Sequence, residues 1–202
     1  MRRWVLPLSA LLLAATVVWA VMSWPLLRTP AGPGPEDLAE AALPDTAAAS
    51  ADQRRSELLR FLERHPRDGR GWVLLAYTEM EADRFEAAVA AFEKAVAVAP
   101  KVAADATVWC EYADALGMTQ GGSLAGRPTE LVMHALALRP GHPKALEMAG
   151  SAAYERRDFK LAAEYWRRLL PQLTPGTQPH GELSQAIARA ERLGALSLPA
   201  GR

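Results

Sequence analysis

Residues 69–100 read GRGWVLLAYTEMEADRFEAAVAAFEKAVAVAP, and this stretch decides the fold. Large apolar and small residues recur three and four apart: Trp72, Leu75 and Ala76, then Ala88, Phe92 and Ala95. That is the spacing of one face of an α-helix. Strand alternation is sustained nowhere from Asp52 onward, so an all-α domain is expected. Trp72 is large enough to plug a gap between neighbouring helices, while Ala76 and Ala88 let two helices approach closely. Pro100 ends the second helix because proline cannot continue the hydrogen-bond ladder.

The same spacings are those of the 34-residue tetratricopeptide (TPR) pattern, with one departure: Glu79 stands where that pattern has an aromatic residue. A second copy begins at Trp109, with Tyr112, Ala113 and Leu116, and runs through Val132 and Ala135 to Pro140. Its two helices are separated by a longer, glycine-bearing loop, Gly117 to Pro128. Pro128 takes the place of Ala88, in a first helical turn where its missing N–H costs little. A third copy runs through Leu146, Ala149, Gly150 and Ala153 to Phe159, Ala162, Trp166 and Leu169. Residues 181–194 carry Leu183, Ile187, Ala190 and Leu193 on one face, as expected of a capping helix, and residues 52–65 cap or extend the other end. The expected architecture is a helix-hairpin solenoid of about three repeats over residues 51–196, followed by a short tail, 197–202.

The N-terminal part is different in kind. Trp4 to Leu27 is 24 residues without a charge, longer than the roughly 20 that a helix needs to cross a bilayer. Arg2 and Arg3 precede the run and only Arg28 follows closely, a bias that holds the N-terminus in the cytoplasm. Residues 1–28 are therefore expected to form a single membrane anchor. The alternative is a cleaved signal peptide, whose apolar core is usually about 7–15 residues; both place the remainder outside the cytoplasm, in the periplasm of a Gram-negative cell. Residues 29–50, TPAGPGPEDLAEAALPDTAAAS, lack apolar periodicity and read as a Pro/Ala-rich linker.

Composition narrows the chemistry. The 23 Lys+Arg balance 23 Asp+Glu, so the basic footprint of a nucleic-acid binder is missing. Cys110 is the only cysteine, which excludes a CxxC redox pair, a CxxCH haem site and a zinc knuckle. Without a histidine or flanking cations beside it in sequence, Cys110 reads as an inert small residue. His65, His134, His142 and His180 show no metal-ligand spacing, so no metal or other cofactor is expected. His65 and His142 each precede a proline at a turn and are expected to be solvated, and His134 is expected to pack or lie at the surface. GGSLAG, residues 121–126, lacks the lysine of a phosphate-binding loop and follows no strand. Nothing suggests an acid-base or nucleophile-base set, and the chain is not expected to be an enzyme.

In a solenoid of helix pairs the first helices line a concave groove. With Trp72, Leu75 and Ala76 toward the core, Arg70, Val73, Tyr77 and Met80 fall on the groove side. The same offsets give Cys110 and Asp114 in the second copy, and Lys144, Glu147, Ser151 and Tyr154 in the third. Such a mixture of apolar and polar side chains suits an amphipathic helix held at i, i+3 and i+4.

The stretch TELVMHALALRPGHPKALEMAGSAAYERRDFKLAAEYWRRLL, Thr129 to Leu170, resembles the periplasmic TPR component of System I cytochrome c maturation, a haem-lyase complex subunit with a relative serving nitrite reductase. LERHPRDGRGWVLLAYTEMEADRFEAAVAAFEKAVAVAP, the EYADAL phrase with its glycine-bearing loop, and Glu164-Tyr165-Trp166 carry the likeness further, over residues 57–193. The resemblance implies a non-enzymatic chaperone that captures the C-terminal segment of apocytochrome c and presents it for haem ligation. It also implies haem-lyase and thiol-reductase partners; with no CxxC here, thiol reduction would lie with another protein. A generic anchored TPR scaffold of another envelope assembly machine is the alternative.

Overall fold

A computed structural model describes residues 51–196, so the expected anchor (1–28), linker (29–50) and tail (197–202) lie outside the described residues. The described part is helical throughout. α1 spans Ala51–Arg64, α2 Gly69–Glu81, α3 Phe85–Val98, a short α4 Pro100–Ala103, α5 Ala106–Thr119, α6 Arg127–Leu138, α7 Pro143–Glu155, α8 Phe159–Leu169 and α9 Gln178–Leu196, with a 3-10 turn at Leu170–Gln172 before the last. Each helix packs on its successor in hairpin order, α3 packs on α5, and α5 also touches α7 directly, so the first helices of the second and third repeats lie side by side. No helix of the described residues is long and apolar enough to cross a membrane.

Local chemistry sets the boundaries. Asp68 caps α2 by accepting from the Gly71 N–H at 2.9 Å. Asp105 caps α5 through the Thr107 N–H at 2.8 Å, and Asp158 caps α8 through the Leu161 N–H at 3.2 Å. Each satisfies a donor that has no partner within its own helix. Pro100, Pro128 and Pro143 sit in the first turns of α4, α6 and α7. Pro100 thus opens a short helix as well as closing α3. The turns from α2 to α3 and from α7 to α8 share one geometry: Asp83 and Arg157 adopt positive φ, and the next residues donate back to Glu79 and Ala153.

The core follows the repeat. Ala76, Ala88, Phe92, Ala95, Ala113, Ala135 and Ala162 are fully enclosed, and Leu75, Tyr112, Gly150 and Trp166 are buried with them. Trp72 and Trp109 differ from expectation. Both are half-buried, because each indole N–H reaches out of the core to a backbone carbonyl six residues earlier: Trp72 to Pro66 at 3.0 Å and Trp109 to Ala103 at 2.7 Å. These bonds tie a first helix to the segment that precedes it, and Leu146, which has no such donor, is fully buried in the third copy.

Glu79 replaces an aromatic side chain by a clasp. Its carboxylate is buried and accepts from Arg55 of α1, at 2.7 Å, and from Arg84 in the following turn. Arg84 also pairs with Asp52, and Arg54 with Glu81. An acid enclosed this far is tolerated only when paired and hydrogen-bonded, and here the pairing fastens α1 to the first repeat. The long loop of the second copy is also ordered. Leu124 is buried against Gly117, and Glu155 of the third copy accepts from Ser123 Oγ at 3.2 Å and the Leu124 N–H at 3.1 Å.

Gly150 marks the closest approach of α7 to α8, since a Cβ there would overlap the Trp166 indole. Gly150→Ala should therefore cost about 1–3 kcal/mol in urea unfolding, as overpacking of a filled core does. Gly194→Ala, whose Cβ would sit at 3.7 Å from Phe159 Cβ, should be neutral or stabilise by up to about 1 kcal/mol.

Candidate functional site

Three first helices, α2, α5 and α7, bring together most of the residues that the sequence assigns to the groove. On α5, Glu111 and Asp114 are three residues apart and so share a face. Lys144, in the first turn of α7, places its ammonium between them, 3.0 Å from Glu111 Oε1 and 3.1 Å from Asp114 Oδ2. Burial alone would lower the Lys144 pKa, but the two carboxylates outweigh it and hold the ammonium above its ordinary range. Tyr77 of α2 stands next to this pair. Burial raises its hydroxyl pKa, Glu111 raises it further, and Lys144 opposes them. The Tyr77 ring meets Phe92 edge-on, with centroids 5.7 Å apart.

Glu147 lies one turn along α7 from Lys144. Burial is the largest influence on its carboxyl, only partly offset by Lys144, and with Asp114 adding to the effect the pKa rises from 4.5 to about 7.

Val73 and Cys110 fall elsewhere than expected. Both are buried, Cys110 beside His142 at the start of α7. Arg70 is exposed at the start of α2, and Met80 and Ser151 are half-buried. Tyr154 packs within its own repeat, against Phe159 at 5.2 Å and Trp166 at 5.7 Å between ring centroids.

His142 also departs from expectation. It is buried rather than solvated. Its Nδ1 accepts from the Ala145 N–H at 3.3 Å, capping α7, and its Nε2 lies 3.3 Å from Thr107 Oγ1. These bonds assign the proton to Nε2. Burial, helped by Arg139, lowers its pKa. Sequence places no histidine near Cys110, yet His142 Nδ1 is 3.7 Å from its sulfur. The contact does not make a reactive thiol, since burial pushes Cys110 up to about 12 and Nδ1 is already engaged. His134 is exposed and packs edge-on against Trp109, with centroids 4.2 Å apart. Among the described residues no group of three His, Cys, Asp or Glu can hold a metal ion.

Sequence reasoning missed Glu111, Thr107 and His142. Glu111 had a signal: an acid three residues before Asp114, on the helix next to one that opens with lysine.

Residues 58–179 match the family model described as the cytochrome c-type biogenesis protein H TPR domain. The chain belongs to this family. Curated relatives named cytochrome c-type biogenesis protein CycH agree with it. That of Pseudomonas aeruginosa is 26% identical over 144 residues, covering 71% of this chain and 35% of the relative. That of Bradyrhizobium diazoefficiens is 29% identical over 156 residues, 76% of this chain and 40% of the relative. That of Rhizobium meliloti is 31% identical over 131 residues, 61% of this chain and 34% of the relative. The chain thus spans between about a third and two fifths of the length of these relatives. A crystal structure of MamA superposes with a TM-score of 0.56 at 14% identity, covering 72% of this chain and 90% of that one, which supports the all-α TPR fold alone.

The site carries two opposite pH dependences. Glu147 has a folded-state pKa raised from 4.5 to about 7, so the folded state holds its proton more tightly and stability falls as pH rises across that window. Glu147→Gln should leave stability unchanged at pH 4.5 and raise it by about 1–3 kcal/mol at pH 8, as read by urea unfolding. His142 has a lowered folded-state pKa, so it costs stability as pH falls below 6.5. His142→Asn, which retains a capping acceptor, should flatten that acid limb.

Proposed function

We propose that this chain is a membrane-anchored periplasmic chaperone of c-type cytochrome biogenesis, whose TPR domain binds the C-terminal segment of apocytochrome c and presents it for haem ligation. The observation that carries this reading is the match of residues 58–179 to the biogenesis family. The surface made by α2, α5 and α7 adds to it, with half-buried Tyr77, Asp114, Lys144, Glu147 and Ser151 supplying apolar, charged and hydroxyl contacts. An amphipathic helix is the ligand that such a mixed face accommodates.

A binding rather than a catalytic role is favoured by the state of the two groups closest to nucleophile chemistry. Cys110 and His142 are both buried, with burial disfavouring the charged form of each. The uncharged run from Trp4 to Leu27, with Arg2 and Arg3 before it, supports a single span with the N-terminus in the cytoplasm. Haem-lyase and thiol-reductase subunits are the partners to which the captured chain would be handed.

The test uses the full chain in detergent and a fluorescent peptide copied from the C-terminal segment of an apocytochrome c, read by anisotropy. The wild type should bind this peptide and not a scrambled one. Ser151→Arg, which fills the inner surface with a long cation, should weaken binding about tenfold or more, with an unchanged unfolding midpoint. Undiminished binding by this variant removes the surface from the reading, and absence of binding by the wild type removes capture itself. In cells, deletion should abolish covalent haem staining of c-type cytochromes; retained staining assigns the domain to another envelope assembly.

A further inference from the structure

On the inner surface one ammonium stands among three carboxylates and pairs with two of them. Lys144 Nζ is held 3.0 Å from Glu111 and 3.1 Å from Asp114, so its charge is already committed to the two acids of α5. Glu147 is left over. Lys144 of its own helix and Asp114 of α5 are the charged groups acting on its carboxyl among the described residues. From α8, the Trp166 indole meets this turn of α7 and reaches the Glu147 backbone carbonyl at 3.4 Å. The residue is half-buried, so part of it still reaches solvent.

With Glu147 ionised, the cluster of one lysine and three acids carries two uncompensated negative charges; with Glu147 protonated it carries one. Burial, the largest influence on this acid, places the change near neutrality, at about 7. The free domain already bears the cost of removing Glu147 from water. A cation arriving from outside recovers its Coulomb attraction without that cost being incurred again.

We propose that Glu147 is a proton-controlled contact of the client surface: as a carboxylate it takes a lysine or arginine side chain of the bound helix, and as a neutral acid it gives that contact up. Capture therefore strengthens as pH rises through neutrality, and binding near pH 6.5 releases a proton, because the incoming cation favours the ionised acid. This inference rests on the reading that the surface captures a polypeptide helix.

The experiment measures affinity of the full chain for a histidine-free apocytochrome c C-terminal peptide at pH 5.5 and pH 8.5. Wild type should bind more tightly at the higher pH, by about tenfold or more, the lower end of the scale of one charge pair at a protein interface. Glu147→Gln should bind at the weaker level at both, and an unfolding midpoint no lower than that of the wild type separates this from misfolding. Calorimetry at pH 6.5 in two buffers of different ionisation enthalpy should show proton release for wild type and not for the variant. Peptides with each lysine or arginine changed to glutamine in turn should include one whose affinity no longer responds to pH. A variant that keeps the wild-type pH response, or a wild type whose affinity is constant across the range, overturns the proposal while leaving capture intact. A wild type that binds at neither pH overturns both.

Discussion

The architecture depends on how closely two helices of a hairpin can approach. Wherever they cross, one partner contributes almost no side chain: Ala76 and Ala88 in the first repeat, Ala113 in the second, Gly150 and Ala162 in the third. Larger residues, Phe92 and Trp166, then fill the spaces on either side. This alternation of small and large gives interior packing without voids. It also sets how closely the two helices of each hairpin pack. A site made from three helices far apart in sequence exists only because these crossings repeat.

That site is electrostatic in character. Lys144 joins α7 to α5 through two acids, and one of them, Glu111, reaches Tyr77 on α2 through its field. Charges in this partly enclosed setting are screened less than at an open surface, so an unbalanced one has consequences for both stability and recognition. The buried thiol and imidazole nearby serve the fold instead. Thr107, Cys110 and His142 fill the junction between α5 and α7, with His142 capping a helix from within.

The repeat is legible in the sequence because helical periodicity is a local property: Ala88, Phe92 and Ala95 declare a buried face within eight residues. The effects of stacking are far less so. Sequence offsets put Val73 and Cys110 on the same side of their helices as Tyr77 and Asp114, yet the first two are buried and the others only half-buried. No spacing within one helix carries that information. The place of His142 before a proline suggests a solvated turn, but that rule concerns backbone and says nothing of where an imidazole turns. Glu79 stands out as a departure from the pattern, and Arg84 lies only five residues on, but its partner Arg55 becomes visible only once α1 has folded back onto α2.

The clasp at Glu79 bears on how such an array comes apart. Linear stacks ordinarily fray from both ends, since a terminal unit has neighbours on one side only. Here peeling α1 away would strand a carboxylate in apolar surroundings with one of its two guanidinium partners gone, whereas α9 is held to α8 by apolar contact and the exposed Arg167–Glu191 pair. Unzipping should therefore start from the C-terminal end and travel toward the first repeat. α1 and the first repeat would then be the last to lose their shape.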